Sequence, residues 1–138
     1  TSLFASSSNI LRIIKNNYPE IITRSIPGIS SFSAAAALSN FNLAIKGETL
    51  IIKECPSNKK ELLDLISTNR KKKTVLVLMK VGKRWEWVKN LLKKEDILSK
   101  SVIALNVGMP EQIVQKVSKF DLNKVPYFSL LLMRFDDD

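Results

Sequence analysis

Apolar residues recur along this chain with two different spacings, one typical of helices and one typical of strands. A helical spacing after Ser6-Ser7-Ser8 predicts a first helix from about Ser7 to Asn17. Further helices are predicted from Ser31 to about Leu38, after Asn58, and through Trp85 to Leu92. Strands are predicted over residues 21–26, within 43–54, and over 74–80, 102–107 and 127–135. The alternation of the two kinds of element indicates an α/β fold.

The strongest strand signal is Val75-Leu76-Val77-Leu78-Met79, which is apolar at every position. Such a run is typical of a strand that is buried on both faces, so we expect residues 74–80 to lie at the centre of a sheet. The segment from Glu111 to Phe120 fits a short helix and a short strand equally well, and its conformation stays open at this point.

The composition narrows the class of protein. With 45% hydrophobic and 25% charged residues, the 138-residue chain has the balance of a globular domain. Its apolar runs are too short to cross a bilayer, so we expect a cytoplasmic protein with no membrane partner. The single cysteine, Cys55, cannot form an internal disulfide, which agrees with a reducing compartment.

Histidine is absent from the chain, and this absence limits the chemistry that the chain can perform. Histidine is the usual general base and a common metal ligand. We therefore expect no metal site, and a reaction that depends mainly on how the reactants are positioned.

The net charge of +9 suggests an anionic partner. One hypothesis is a nucleic acid, bound by the basic run Arg70-Lys71-Lys72-Lys73 with Trp85 and Trp87 stacking on bases. Against this hypothesis, the tryptophans fall where an amphipathic helix needs core residues, and the chain has no nucleic-acid-binding motif. The charge alone does not separate a nucleic acid from a ligand with several carboxylates, but we expect no nucleic-acid partner.

The stretch Pro27-Gly28-Ile29-Ser30-Ser31, followed by Phe32-Ser33 and four alanines, is the most informative motif of the chain. Pro27 restricts φ and Gly28 permits a tight turn, so the main chain there can come close to a ligand. Ser30 and Ser31 offer hydroxyls and amide groups at the first turn of a helix. This combination suits a small polar ligand, although a simple helix cap would use the same residues.

Three other segments lie at the ends of predicted strands: Leu78-Met79-Lys80-Val81-Gly82, Asn106-Val107-Gly108-Met109-Pro110-Glu111 and Pro126-Tyr127-Phe128-Ser129. Ligands of open α/β sheets bind at strand ends. With these segments and the Pro27 motif, the chain resembles the tetrapyrrole methylases, also called class III S-adenosylmethionine-dependent methyltransferases. Within that family it resembles the branch that methylates C-20 of precorrin-2 in cobalamin biosynthesis.

The resemblance implies a carboxy-terminal α/β domain with a mixed sheet flanked by helices. Residues 1–19 would be the last helix of an amino-terminal domain, and residues 20–138 the carboxy-terminal domain. The glycine and aspartate of the family's Gly-Asp-Pro loop would lie just before Thr1, so the chain by itself is expected to be inactive. A homodimer is expected for the full-length enzyme.

The resemblance also implies that S-adenosylmethionine lies in a cleft between the two domains and that this chain supplies one wall. The residues that match cofactor-binding positions of the family are Leu3, Ser30, Ser31, Met79, Lys80, Val107, Gly108 and Ser129. The side chains of Met79 and Val107 fit core positions equally well, because contacts of this kind are often made by main-chain groups. No catalytic residue is identified.

The implied substrate is a modified tetrapyrrole, precorrin-2, with cobalt-factor II as a close alternative. Its carboxylates are expected to pair with Lys80, Lys83 and Arg84, although any one of these could be an ordinary exposed cation. No metal is required for the transfer, because the sulfonium of S-adenosylmethionine already carries an activated methyl group.

Overall fold

The structure, a computed structural model, describes residues 6–135 of the chain, and of Ser6 the backbone alone. The chain divides into two compact units, Thr1–Ser31 and Phe32–Asp138. The division into residues 1–19 and 20–138 that the resemblance implies stays a prediction.

The first unit contains the helix α1 (Ser6–Asn17), close to its predicted bounds. The strand predicted over residues 21–26 is wrong, because these residues form a bend and irregular backbone. β-branched residues favour strands where a sheet half-buries them. Here Ile22 is 97% exposed and Ile26 is 73% exposed. Among the described residues, the strands that pair in the sheet all lie outside residues 21–26. This segment therefore contains isoleucines but has no neighbouring strand to bond with its backbone.

The remaining elements follow in the order that the sequence predicts. They are α2 (Ser31–Leu38), β1 (Thr49–Glu54), α3 (Lys59–Arg70), β2 (Thr74–Met79), α4 (Trp85–Lys94), β3 (Ser101–Leu105), β4 (Ile113–Lys116) and β5 (Ser129–Arg134). The capping residue of α3 is the predicted Asn58, whose side chain accepts the backbone N–H of Glu61 at 2.9 Å. The segment with an open assignment contains both kinds of structure, because a 3₁₀ turn (Val117–Lys119) follows β4.

The five strands form a mixed sheet, as expected, and their order in it is β1-β2-β5-β3-β4. β1 and β2 are parallel, and the other neighbouring pairs are antiparallel. β2 is an interior strand, as its apolar run predicts, but the central position belongs to β5. The last strand of the chain reaches the middle because it pairs with β2 on one side and with β3 on the other.

Alternate residues of the interior strands form two hydrophobic cores, one on each face of the sheet. One face packs against α3 and α4 and includes Leu76, Leu78, Ile103, Leu131 and Met133. The opposite face packs against α2 and includes Val77, Val102, Ala104, Leu130 and Leu132. We call these faces the α3/α4 face and the α2 face. Both are apolar, so β2, β3 and β5 are buried throughout most of their length.

Candidate functional site

The carboxyl ends of β1, β2 and β3 and the amino end of β5 lie at the same end of the sheet. Glu54 pairs with Met79 in the register, and Leu105 pairs with Ser129. The structure therefore brings together three of the predicted segments, Met79-Lys80, Val107-Gly108 and Ser129. We call this region the site end of the sheet, and it comprises Glu54, Met79, Lys80, Val81, Gly82, Asn106, Val107, Gly108 and Ser129.

Two strands stop at the site end with a residue in the left-handed conformation. Lys80 directly follows β2 with a φ of 55°, and Asn106 directly follows β3 with a φ of 48°. Positive φ is uncommon for residues that carry a side chain, and less so for asparagine than for lysine. Unusual backbone conformations of this kind gather at ligand sites, where the surrounding fold holds them in place.

Ser129 fixes the backbone that follows Lys80. Its hydroxyl oxygen accepts the N–H of Gly82 at 2.8 Å, and its carbonyl oxygen accepts the N–H of Val81 at 3.1 Å. Ser129 is only 4% exposed, so this hydroxyl serves the turn after β2. The resemblance assigns Ser129 to the cofactor, whereas the structure gives its side chain a partner within the chain.

The side chains of Met79 and Val107 are partly buried and pack against the α2-face core. At these two positions, the groups that remain for contact with a ligand are therefore those of the main chain. Gly108 is exposed with a φ of 82°, and a Cβ built on it would meet nothing within 4 Å. Its N–H donates to Oε1 of Gln112 at 2.9 Å, and the space beside its Cα is open.

The predicted cations lie on and just after the turn that follows β2. Nζ of Lys80 donates to Oε2 of Glu54 at 3.3 Å. Arg84 is half-buried and donates from Nη1 to the carbonyl oxygen of Lys80, also at 3.3 Å, while Lys83 is exposed. The three cations thus lie close together in the chain, on and just after the turn that follows β2, and one of them, Lys80, is paired with a carboxylate.

The other predicted cofactor residues belong to the amino-terminal part of the chain. Ser31 is the first residue of α2, Ser30 precedes it, and both are half-buried. Leu3 lies outside the described residues. The assignment of these three residues to the cofactor stays a prediction.

Cys55 follows Glu54 at the site end, but its side chain is buried and only 2% exposed. Burial raises the pKa of this thiol from 9.0 to about 11, a rise that the nearby Arg84 opposes and that Glu54 and Glu61 reinforce. The thiol therefore stays protonated at neutral pH and is a poor nucleophile.

This raised pKa predicts a loss of stability at high pH. Well below pH 9 the thiol is protonated in both the folded and the unfolded chain. Between pH 9 and about 11 the unfolded chain loses the proton and the folded chain keeps it, so the free energy of unfolding falls. We expect Cys55 to contribute a fall of about 2 kcal/mol across this interval. Urea denaturation at a series of pH values measures it, with Cys55→Ala as the control. Identical pH profiles for the two proteins would contradict the prediction.

The structure argues against a stacking surface for nucleic acid. Trp85 is only 1% exposed, and its Nε1–H donates to the carbonyl oxygen of Leu122 at 2.8 Å. Trp87 is half-buried and packs against the same core. Arg70 of the basic run pairs with Glu95, with Nη1 and Oε2 3.1 Å apart. The Trp85 ring is therefore not available for base stacking, and the Trp87 ring is only partly exposed.

The part of the chain that the structure describes contains no group of three or more Cys, Asp or Glu side chains arranged to hold a metal ion. Within residues 6–135, none of the helices is long and apolar enough to cross a membrane.

Asn106 belongs to one of the predicted strand-end segments, although its left-handed backbone was not predicted, and Glu54 is the member of the site end that was not predicted. The backbone conformation of Asn106 could have been predicted, because asparagine directly after an apolar strand is one of the few residues that readily take a positive φ. Nothing in the sequence pointed to Glu54. Its ion pair with Lys80 joins residues 26 positions apart and depends on the parallel register of β1 and β2.

Known proteins are similar to this chain in sequence and in fold. A family model described as tetrapyrrole (corrin/porphyrin) methylases matches residues 1–122. A cobalt-precorrin-2 C(20)-methyltransferase of Salmonella typhimurium is 30% identical over 110 residues, which cover 78% of this chain and 45% of the relative.

Solved structures share the fold at low sequence identity. The cobalamin biosynthetic enzyme cobalt precorrin-4 methyltransferase, CbiF, matches with a TM-score of 0.63 at 18% identity, over 91% of this chain and 57% of that one. Uroporphyrin-III C-methyl transferase from Thermus thermophilus, complexed with S-adenyl homocysteine, matches with a TM-score of 0.53 at 13% identity, over 94% and 60%. The chain thus spans about half the length of the proteins that it matches.

Proposed function

Because this chain belongs to the tetrapyrrole methylase family, we propose that the enzyme containing it transfers a methyl group from S-adenosylmethionine to C-20 of precorrin-2, giving precorrin-3A in cobalamin biosynthesis. The choice of C-20 methylation rests on the 30% identity to a cobalt-precorrin-2 C(20)-methyltransferase. The name of that relative supports a cobalt-containing substrate, such as cobalt-factor II, as the second candidate. Another tetrapyrrole methylase step is the remaining alternative within the family.

The residues at the site end fit a cofactor held largely by main-chain groups. The turns at Lys80 and Asn106 end two strands abruptly, and the space beside Gly108 is open. S-adenosylmethionine supplies a methyl group bound to a positively charged sulfur. In the transfer, the bond from sulfur to that methyl would break as a carbon–carbon bond forms at C-20. The sulfur would become neutral, and the proton that the macrocycle then loses would pass to water or to a carboxylate.

In this proposal the chain acts mainly by positioning the two reactants, and acid–base catalysis has a smaller part. Main-chain groups of Met79, Lys80, Val107 and Gly108 are proposed to meet the adenosine, and Ser30 and Ser31 the amino-acid portion. Holding two reactants in line is a large part of any such transfer, because it removes the entropy cost of bringing them together. A homodimeric state and a cytoplasmic location are proposed from the sequence alone.

The carboxylates of the tetrapyrrole are proposed to bind Lys80, Lys83 and Arg84. All three lie on the short segment between β2 and α4. Ion pairs between ammonium or guanidinium groups and carboxylates are strong when they form networks, and a substrate with several carboxylates can engage all three cations.

We expect Lys80→Glu to raise the KM for the tetrapyrrole about tenfold, equivalent to about 1.4 kcal/mol, because a repulsion replaces an attraction. The KM for S-adenosylmethionine should change less than about twofold, since the cofactor meets the main chain at this position. The measurement is steady-state transfer of a labelled methyl group by the full-length enzyme that contains this chain, with each substrate varied in turn.

The control for this change is Lys72→Glu. Lys72 is exposed and lies just before β2 begins, at the opposite end of the sheet from Lys80. Over that separation, salt screens its charge with a Debye length of about 8 Å. If Lys72→Glu raised the KM for the tetrapyrrole while Lys80→Glu left it unchanged, the site would lie at the other end of the sheet. Salt-dependent binding of single-stranded oligonucleotide without binding of S-adenosylhomocysteine would instead support the nucleic-acid hypothesis.

A further inference from the structure

The cation that the proposed function assigns to substrate is already paired with a carboxylate of this chain. Nζ of Lys80 lies 3.3 Å from Oε2 of Glu54, and the two side chains are 46% and 56% exposed. Exposed ion pairs are weak, because water and salt screen them. A carboxylate from a ligand can therefore replace Glu54 at a small cost in free energy.

Glu54 and Lys80 both lie on backbone that hydrogen bonds hold in place. Glu54 lies opposite Met79 in the ladder between β1 and β2, and the N–H of the next residue, Cys55, donates to the carbonyl oxygen of Met79 at 2.8 Å. The carbonyl oxygen of Lys80 accepts Nη1 of Arg84, and the following N–H, that of Val81, is bound by Ser129. The approach of Glu54 to Lys80 is thus set by strand register.

The same strand carries a second ion pair of nearly equal geometry on its other face. Nζ of Lys53 lies 3.1 Å from Oε1 of Glu61, and these side chains are 47% and 45% exposed. Successive residues of a strand point to opposite faces, and register partners share a face. Because Met79 packs into the α2-face core, Glu54 lies on that face and Lys53 on the α3/α4 face.

We propose that Glu54 is an internal competitor for Lys80 that sets the affinity of the site end for carboxylate ligands. This inference rests on the proposed function, because it takes Lys80 as a substrate-binding cation. A ligand carboxylate must displace Glu54 before it can pair with Lys80. A ligand with a single carboxylate gains little from that exchange, whereas a polycarboxylate tetrapyrrole also gains contacts with Lys83 and Arg84. Glu54 thus weakens the binding of every ligand that pairs with Lys80, and a ligand with several carboxylates offsets that cost through the other two cations.

The test measures anion binding by the 138-residue chain and its variants. Uroporphyrin, followed by its fluorescence, is the tetrapyrrole probe, and citrate, followed by calorimetry, is a carboxylate probe with no macrocycle. We expect Glu54→Gln to tighten the binding of both probes about two- to fivefold, the range that an exposed ion pair spans. Glu61→Gln removes one negative charge from the matched pair on the other face, and it should change either Kd less than about twofold.

A double-mutant cycle tests whether the effect acts through Lys80. In a Lys80→Gln background, Glu54→Gln should no longer tighten binding. An equal gain with and without Lys80 would overturn the inference, since only net charge would then matter. Unchanged or weaker binding in Glu54→Gln would overturn it as well, because Glu54 would then be neutral or would help to position Lys80.

The two probes separate the failure of this inference from the failure of the proposed function. If citrate binding tightens in Glu54→Gln but no variant binds uroporphyrin, Glu54 competes as proposed and the tetrapyrrole assignment is wrong. If the unchanged chain binds uroporphyrin and Glu54→Gln gains nothing, the assignment stands and the competitor role is wrong. Absence of binding by every variant to both probes overturns the inference. Far-ultraviolet circular dichroism of each variant verifies its fold.

Discussion

Replacing Arg134 by methionine is expected to lower the free energy of unfolding by about 3–5 kcal/mol. Arg134 ends β5 and pairs with Glu48, and their side chains are only 11% and 7% exposed. Arg134 also donates to the carbonyl oxygen of Asn42 and lies over the ring of Phe41, with 5.7 Å between its Cζ and the ring centroid. Methionine fills a similar volume but leaves the Glu48 carboxylate buried with no opposite charge, which is the costly part of the change.

Chemical denaturation measures this loss, and Arg70→Met serves as the matched control. Arg70 and Glu95 form a pair in which the side chains are 42% and 23% exposed, so removing its cation should cost less than about 1 kcal/mol. The double change Arg134→Met with Glu48→Met should recover part of the loss, since it removes the unpaired charge. Equal costs for Arg134→Met and Arg70→Met would contradict the argument.

The pair of Arg134 and Glu48 lies far from the site end, so its loss should affect stability and leave ligand binding unchanged. Arg134 lies at the carboxyl end of β5, whereas Ser129 at its amino end belongs to the site end of the sheet. The pair ties the loop between α2 and β1 to the far end of the sheet. Folded Arg134→Met protein should therefore bind ligands at the site end with unchanged affinity, although less of the protein is folded.

Local patterns in the sequence were sufficient for most of the second unit. The unbroken apolar run of β2 predicts burial on both faces, and Asn58 with Glu61 three residues later predicts the start of α3. These signals are reliable because each arises from residues that are close together in the chain. The turns after β2 and β3 were predictable for the same reason, since turn residues follow these strands directly, whereas the role of these turns in binding stays a prediction.

The features that sequence reasoning missed arise from residues far apart in the chain. The pairs of Lys80 with Glu54 and of Arg134 with Glu48 join residues 26 and 86 positions apart. No periodicity reports such contacts, because they depend on the order of strands in the sheet. The wrong strand over residues 21–26 has a related cause: isoleucine favours a strand only where a neighbouring strand exists to pair with it.

Trp85→Ala is the second change with a large expected effect, a loss of about 3–5 kcal/mol in the free energy of unfolding. Trp85 begins α4 and is almost completely buried in the α3/α4-face core, where its ring meets that of Phe120 edge to face with 5.5 Å between centroids. Alanine leaves a cavity and also leaves the carbonyl oxygen of Leu122 without its indole donor. Thermal and urea denaturation measure the loss.

Trp87→Ala is the control for this change, two residues further along the same helix. Trp87 is half-buried and packs at the border of the same core, so its removal should cost roughly half as much.

The comparison of the two variants also decides between core packing and nucleic-acid stacking for the two rings. Packing predicts that the more buried tryptophan dominates stability and that neither change affects an interaction with oligonucleotide. A Trp85→Ala protein with unchanged stability that had lost affinity for single-stranded oligonucleotide would show that the ring serves binding, and the placement of Trp85 in the core would then be wrong.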